Sequence, residues 1–401
     1  MNPLRPAARA AAVPPSATAA LDAQAKALVA EGVDVVNLTS GEPAFPTVGP
    51  AAHAAEQAIA EDFTRYTPAA GVPALRTAIS AHLNRHGTTY EAAQVVVTAG
   101  AKQALHHAFT ALLDPGDEVL VPAPYWVSYP HLIALAGGTL VPVRPAPGAG
   151  LKVTPEQVRE AITDRTRILL LNSPANPSGV VYSRHELAAL AEVAVERDLV
   201  VISDEICDHW VFGDARFASV AALGAGIAAR TVTIGGVSKT FAMTGWRIGW
   251  LAAPAELAST VTALQSHTAS APSSIAQRAA LGALTADLGA ELERRRSALD
   301  TRRLATVKAI ADIPGLRVDG NPEGAFFLLA DVSGLYGKTR AGRTITSAAD
   351  FAELLLAEAQ VAVVPGADFA APDHVRISYT VPPEQLDEAL ERLARFVNGL
   401  S

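Results

Sequence analysis

The chain has very little cysteine, no long apolar run and no cluster of basic residues. Its single cysteine among 401 residues, Cys207, cannot form an intramolecular disulfide, which is typical of a reducing compartment and predicts a cytoplasmic location. No segment reaches the roughly 18 uninterrupted apolar residues that a spanning helix needs, so we expect no membrane partner. The formal net charge is −8 and the stretch ERRR at 293–296 lies in a polar helical pattern, so we expect no nucleic-acid partner.

Length and apolar content indicate a large globular protein. Half of the residues are hydrophobic and 18% are charged, and 401 residues are enough for two domains. The N-terminal 21 residues contain four prolines and predict an extended arm. We expect residues 1–45 to form this arm and part of a small domain, 46–285 a large domain, and 286–401 the rest of a small α+β domain.

Strand and helix patterns alternate between about residues 95 and 250. The sequence predicts strands at 95–98, 118–121, 168–171 and 199–203, with helices at 101–113 and from the capping box of Ser183 and Glu186 to about Arg197. This alternation predicts an α/β fold with a mostly parallel sheet between helices, and ligands at the carboxyl ends of its strands. Beyond residue 285 we expect a strand at 374–378 and helices at 290–310, 348–359 and 383–396.

The most specific motif is GGVSKTFAMTGWRIGW at 235–250, which places Lys239 eight residues before Arg247. A lysine amine can condense with an aldehyde cofactor, and an arginine fork can hold a phosphate. An isolated lysine on a turn would more often be a surface residue. The whole string is too specific for that interpretation and indicates a cofactor site.

Three further positions indicate bound charges. Asp204 ends a buried strand, where an unpaired carboxylate is costly, although a helix cap or the neighbouring Glu205 would be alternatives. The passage from strand to helix at 98–103 offers free backbone N–H groups for a phosphate. Arg376, on the strand at 374–378, needs either an external anion or an internal acid.

These motifs resemble those of the class I/II aminotransferases, most closely the bacterial aspartate and prephenate group, from PSAT at 15–18 to Arg376. The resemblance implies the type I fold of pyridoxal-5′-phosphate-dependent transferases and transfer of an amino group between an L-amino acid and a 2-oxo acid. It implies that Lys239 carries the cofactor as a Schiff base and moves protons, that Asp204 meets its pyridine nitrogen, and that Arg247 holds its phosphate.

The same resemblance implies further cofactor contacts. Phosphate binding falls to Gly100, Ala101 and Lys102. Trp126 stacks on the cofactor ring and Asn176 bonds to its phenolic oxygen, and both also face the substrate. Without the resemblance, the tryptophan would be interpreted as core and the asparagine as part of a turn.

Substrate and subunit contacts also follow from the resemblance. It implies that Arg376 and the backbone N–H of Gly41 bind the substrate α-carboxylate. It further implies a homodimer with shared active sites, in which Tyr66 reaches the phosphate of the neighbouring subunit. His267, in a loop crossing to that subunit, either touches the substrate side chain or only packs. On sequence alone, Tyr66 would otherwise be a surface residue before a turn.

Three positions depart from the family pattern. Cys207 replaces a tyrosine that donates to the phenolic oxygen, Gly236 replaces a phosphate-binding serine, and Pro14 replaces a lysine that meets a distal carboxylate, while Lys102 is kept. The pattern therefore does not fix the substrate. A thiol is a weak donor, so a pyridoxal-phosphate-dependent lyase, decarboxylase or cyclase stays an alternative. A cofactor-binding regulator is disfavoured, because the chain has no room for a nucleic-acid-binding domain.

We predict that Lys239 is the residue to which the cofactor is covalently attached. Borohydride reduction of the cofactor-loaded enzyme, followed by proteolysis and peptide mapping, should place the label on Lys239. A label on any other lysine would overturn this assignment.

Overall fold

A seven-stranded sheet forms the centre of the larger part of the chain in the computed structural model, which describes residues 5–15 and 17–401. Six strands run parallel, and Gly249–Ala252 is antiparallel to both of its neighbours. The spatial order is Val95–Thr98, Gly249–Ala252, Thr231–Gly236, Val200–Asp204, Thr166–Asn172, Glu118–Pro122 and Thr139–Val143. The predicted mostly parallel sheet is confirmed.

Helices cover both faces of this sheet. Successive side chains of each buried strand point to opposite faces, so both faces carry apolar residues that need a cover. Ile202 packs on one face with apolar residues of the helices Ala101–Leu112, Tyr129–Leu135 and Ala255–Thr268. Val201 packs on the other face, which is covered by the helices Pro155–Ala161, Arg184–Glu196 and Ala225–Ala228. Beside this second group, Val95 and Val97 pack against the helices Gly49–Ala60, Pro73–Asn84 and Ser274–Thr285.

A smaller antiparallel sheet carries the C-terminal part. Its order is Val364–Pro365, His374–Ser378, Phe327–Asp331 and Arg317–Asp319, and it packs with the helices Gly289–Ala311, Ala348–Ala359 and Pro383–Asn398. The strand Val36–Asn37 pairs in parallel with Val361–Ala362, and Thr339–Arg340 forms a hairpin with Arg343–Thr344. The pairing of Val36–Asn37 supports our proposal that the first 45 residues and residues 286–401 share a domain.

Most predicted elements are present with boundaries shifted by one or two residues. The capping box is confirmed: Ser183 Oγ accepts from the backbone N–H of Glu186 at 3.2 Å, and Glu186 Oε2 accepts from that of Ser183 at 2.6 Å. Among the described residues, no helix is both long and apolar enough to cross a bilayer.

The expectation of an extended N-terminal arm is wrong. A short helix spans Ala8–Ala11, and a longer one spans Ala17–Ala30. Prolines stand only outside these alanine-rich stretches, and proline ends a helix without preventing one between two prolines. The resembling motif at 15–18 is only partly described, since residue 16 lies outside the described residues.

Candidate active site

A cavity of about 510 Å³ lies at the carboxyl ends of the central strands. Asn172 and Asp204 are the last residues of adjacent parallel strands, and Lys239 follows the next strand, Thr231–Gly236. All three side chains line the cavity together with Arg247 and Arg376. The fold therefore brings together the charged groups that the motifs predict separately.

Lys239 has the properties of a reactive amine. Its Nζ donates a 2.6 Å hydrogen bond to the backbone oxygen of Gly41. Burial lowers the pKa of Lys239 from its ordinary value; the cations Arg376 and Arg247 act in the same direction, against Cys207 and Glu42. Since a neutral amine is the nucleophilic form, this environment suits condensation with an aldehyde.

Asp204 is a buried carboxylate held by neutral hydrogen-bond donors. Its Oδ2 accepts a 2.7 Å hydrogen bond from the hydroxyl of Tyr129, and its Oδ1 accepts from the backbone N–H of Ile206 at 3.2 Å. Within the described part of the chain, no basic side chain lies within 4.0 Å of it, and burial raises the pKa of Asp204. A protonated ring nitrogen would supply the missing positive charge.

The alternative carboxylate, Glu205, points away from the cavity. It accepts hydrogen bonds from the hydroxyls of Ser203 and Ser219 and from the backbone N–H of Val220, and burial raises its pKa to about 7. Its partners are therefore internal. Asp204, in contrast, lines the cavity.

The start of the helix Ala101–Leu112 forms an anion site with Arg247. Gly100 precedes the helix with φ 85°, and a Cβ at this position would lie 2.5 Å from the guanidinium of Arg247. Only glycine lets the arginine lie this close to the helix N-terminus. The first N–H groups of a helix have no intrahelical partner, and both they and the arginine favour an anion.

Arg247 and Lys102 are the cationic side chains that line the cavity near this anion site. Among the residues that the structure describes, no carboxylate lies within 4.0 Å of Arg247 or Lys102, and burial together with Arg247 lowers the pKa of Lys102. Ser238, which the motif interpretation did not single out, is buried and also lines the cavity. The donors fit the phosphate of pyridoxal phosphate, just as Asp204 and Lys239 fit its ring nitrogen and aldehyde.

Arg376 is buried among neutral groups. Its Nη2 donates to the backbone oxygen of Thr39 at 2.8 Å, and its Nη1 donates to Oδ1 of Asn176 at 3.1 Å. Its guanidinium carbon lies 4.4 Å and 5.1 Å from the ring centroids of Phe327 and Phe369. Burial lowers the pKa of Arg376 to about 9.

The internal salt bridge considered for Arg376 is not found: within the described chain no acid lies within 4.0 Å, and its buried Nε has no hydrogen-bond partner. An anion for this guanidinium would therefore come from the cavity, which Arg376 lines. The backbone N–H of Asn176 donates to Oδ1 of Asn172 at 2.9 Å, and the peptide bond between Asn176 and Pro177 is cis.

Trp126, Lys102 and Cys207 also line the cavity. The Nζ of Lys102 lies 5.0 Å from the centroid of the Trp126 ring. Burial raises the pKa of the Cys207 thiol to about 12, so it is neutral. A Cβ at Gly236 would lie 3.0 Å from Ile206 and 3.1 Å from the backbone oxygen of Ile248, so this position has little room for a serine.

Tyr66 and His267 lie outside the cavity of their own chain. Tyr66 is 96% exposed. His267 is also exposed, and it lies in the last turn of the helix Ala255–Thr268, which corrects the prediction of a loop. Pro14 is exposed and does not line the cavity either.

The N-terminal helix contributes lining residues that the sequence did not indicate. Asp22 and Lys26 of Ala17–Ala30 line the cavity and form a 2.7 Å ion pair one helical turn apart. Tyr129 was also missed. One local signal could have indicated it. Tyr129 begins a helix three residues after Trp126, and side chains at this spacing lie on one side of a helical turn.

Known proteins match the whole chain. Residues 33–393 match the family of class I and II aminotransferases. The chain is 44% identical to an aspartate aminotransferase of Streptomyces avermitilis, covering 98% of this chain and 97% of that one, and 46% identical to an aspartate/prephenate aminotransferase of Cereibacter sphaeroides, covering 98% of each.

Solved structures agree with these relatives. The aspartate aminotransferase of Rhizobium meliloti superposes with a TM-score of 0.94 at 40% identity, over 99% of this chain and 100% of that one. That of Thermus thermophilus with maleate has a TM-score of 0.91 at 43% identity, over 98% and 100%.

We predict that Tyr129→Phe weakens cofactor binding by roughly tenfold, because a buried carboxylate loses a hydrogen bond from a hydroxyl. Equilibrium dialysis of the cofactor measures this change. Tyr182→Phe is the matched control, since its hydroxyl accepts a 3.0 Å bond from the backbone N–H of Val153 outside the cavity. Equal cofactor affinities in the two variants would contradict a role for Tyr129 at Asp204.

Proposed function

We propose that the amino donor of this protein is an acidic L-amino acid. The chain belongs to the class I and II aminotransferases. Its activity is the pyridoxal-phosphate-dependent transfer of an amino group between an amino acid and a 2-oxo acid. The observation that carries this proposal is Lys102, a cavity lysine beside Trp126 with no acid within 4.0 Å among the described residues. An ammonium at this position can receive a second carboxylate of the substrate.

The relatives support an acidic donor. They are named aspartate or aspartate/prephenate aminotransferases, and the structure of the Thermus thermophilus enzyme is described with maleate, a dicarboxylate. Pro14 removes one lysine of the family pattern. The ammonium of Lys26 is held to Asp22, so Lys102 is the better candidate for the distal carboxylate.

We assign the α-carboxylate of the substrate to Arg376. Its guanidinium is fixed by Thr39 and Asn176 and keeps a buried N–H without a partner. Gly41 also lines the cavity, and its backbone N–H is proposed as a second donor. Two charge-assisted contacts would orient Cα toward Lys239.

Lys239, Asp204 and the anion site would share the chemistry. The cofactor, when bound, supplies an electron-withdrawing ring that makes the Cα–H of the substrate acidic. Asp204 holds a proton at the ring nitrogen, with Tyr129 keeping the carboxylate in place. The amine of Lys239, whose pKa is lowered by burial, would take the proton from Cα as a general base and deliver it as a general acid to C4′, the former aldehyde carbon of the cofactor.

Cys207 was the feature that favoured a lyase, decarboxylase or cyclase. The relatives in both comparisons are named aminotransferases, which supports transfer instead. The neutral, buried thiol packs with the apolar core of the smaller domain. We propose that it fills space beside the cofactor without taking or giving a proton.

We predict that Lys102→Met lowers kcat/KM for aspartate by roughly tenfold or more and leaves that for alanine nearly unchanged at saturating cofactor, because only aspartate loses an ion pair. Lys308→Met, on the exposed side of Gly289–Ala311, is the control. Steady-state kinetics with both donors measures the change. If Lys102→Met lowers the two values equally, the lysine serves the phosphate and the proposed donor is wrong.

We further propose a homodimer with shared active sites. Tyr66 is almost fully exposed although the family pattern assigns it to a phosphate, and a partner subunit would supply that phosphate. Light scattering at micromolar concentration should give the mass of two chains. A monomer that retains full activity would refute the shared site.

The single cysteine supports a cytoplasmic location, which cell fractionation would test.

A further inference from the structure

Two histidines and an aspartate, here called the His–Asp–His cluster, lie behind the active site. His82 is in the last turn of the helix Pro73–Asn84, and His86 follows four residues later on the same side. Asp208 lies in the turn after the strand Val200–Asp204. The three side chains are 8%, 29% and 13% exposed, respectively.

The cluster has the dimensions of a metal site. Oδ2 of Asp208 lies 3.0 Å from Nε2 of His82 and 3.4 Å from Nε2 of His86, and one ligand atom of each residue lies within 4.8 Å of the others. Zinc binds such atoms at about 2.0–2.2 Å in a tetrahedron, which separates neighbouring ligands by about 3.3 Å. The two spacings from Asp208 to the histidines match those edges.

We propose that the His–Asp–His cluster binds one Zn²⁺ ion per chain through His82, His86 and Asp208. Two imidazole nitrogens and one carboxylate oxygen are donors that zinc accepts. A cavity of about 420 Å³ adjoins all three residues and leaves room for a water as the fourth ligand. The sequence alone predicts no metal site, because Asp208 stands far from the two histidines along the chain.

The aspartate is held in position for this role. Its second oxygen, Oδ1, accepts hydrogen bonds from Thr240 Oγ1 at 3.1 Å and from the backbone N–H of His209 at 2.8 Å. These bonds leave Oδ2 directed at the histidines. Supporting contacts of this kind orient metal ligands and raise affinity.

One contact opposes the metal. The guanidinium of Arg85 bonds to Nδ1 of His82, and an ion on Nε2 would place the ring proton on Nδ1. Arg85 is exposed and can turn away, but its displacement and its charge must weaken binding. A site for zinc therefore predicts that Arg85→Ala binds the ion more tightly, whereas a cluster of hydrogen bonds alone predicts no such gain.

A bound ion would stabilise two segments that carry active-site residues. Asp208 follows Cys207 in the chain, and its partner Thr240 follows Lys239. None of the cluster's ligands lines the active-site cavity. The zinc site is thus independent of the proposed donor, and its test can fail without affecting that proposal.

The test is a calorimetric titration of the chelator-treated, cofactor-loaded enzyme with Zn²⁺. We expect one ion per chain for the wild type, an affinity reduced by more than about 100-fold in His86→Gln, and a tighter site in Arg85→Ala. His53→Gln, which changes an exposed histidine on another helix, should bind as the wild type does. Melting curves of the zinc-free proteins check that the variants are folded.

A second probe requires no variant. One equivalent of Co²⁺ added to the wild type should give the intense visible bands of a tetrahedral ion at wavelengths beyond the cofactor absorption. Absence of Zn²⁺ binding by the wild type, equal binding by folded His86→Gln, or a weak octahedral cobalt spectrum would each overturn the proposal.

Discussion

Asp204 and Arg376 are buried charged side chains whose partners in the described chain are neutral. Asp204 receives hydrogen bonds from Tyr129 and a backbone N–H, and Arg376 donates to Thr39 and Asn176. Burying a charge without a counter-charge costs several kcal/mol. The ligands that we propose would offset this cost, since the cofactor would bring a ring nitrogen to Asp204 and the substrate a carboxylate to Arg376.

The two charges lie in different sheets, so the contacts between the segments that carry these sheets determine the distance between the charges. Asp204 ends a strand of the parallel sheet, and Arg376 lies on the antiparallel strand His374–Ser378. One of these contacts is the backbone hydrogen bond from the N–H of Gly324 to the oxygen of Gly179, at 2.7 Å. Gly179 has φ 72°, and a Cβ there would lie 2.5 Å from the backbone oxygen of Phe327, so glycine is required.

The anion site depends on another close approach, between Arg247 and the start of a helix. Arg247 can lie against the start of the helix Ala101–Leu112 only because Gly100 has no side chain. Gly249 makes a similar contact, since a Cβ there would lie 2.3 Å from the backbone nitrogen of Ala101. Gly100 and Gly249 thus let Arg247 and the antiparallel strand Gly249–Ala252 pack against the start of the helix, and this packing creates the anion site.

The sequence by itself determined many local features: the strand at 95–98, most helix boundaries beyond residue 95 to within one or two residues, and the motif that joins Lys239 to Arg247. Backbone preferences and side-chain periodicity act over a few residues, so they can be inferred from short segments. Tertiary structure decided which distant groups meet. Tyr129 reaches Asp204 across 75 residues, and Arg376 reaches Asn176 across 200.

The N-terminal helix and its cavity residue Lys26 also appear only in the folded chain, as does the His–Asp–His cluster, whose members His82 and Asp208 are 126 residues apart. Such contacts depend on how helices and strands pack, which no short pattern specifies. Tyr66 and His267 stay predictions, because their proposed ligands belong to a second subunit. The sequence thus determined which chemical groups are available, and packing decided which of them share a site.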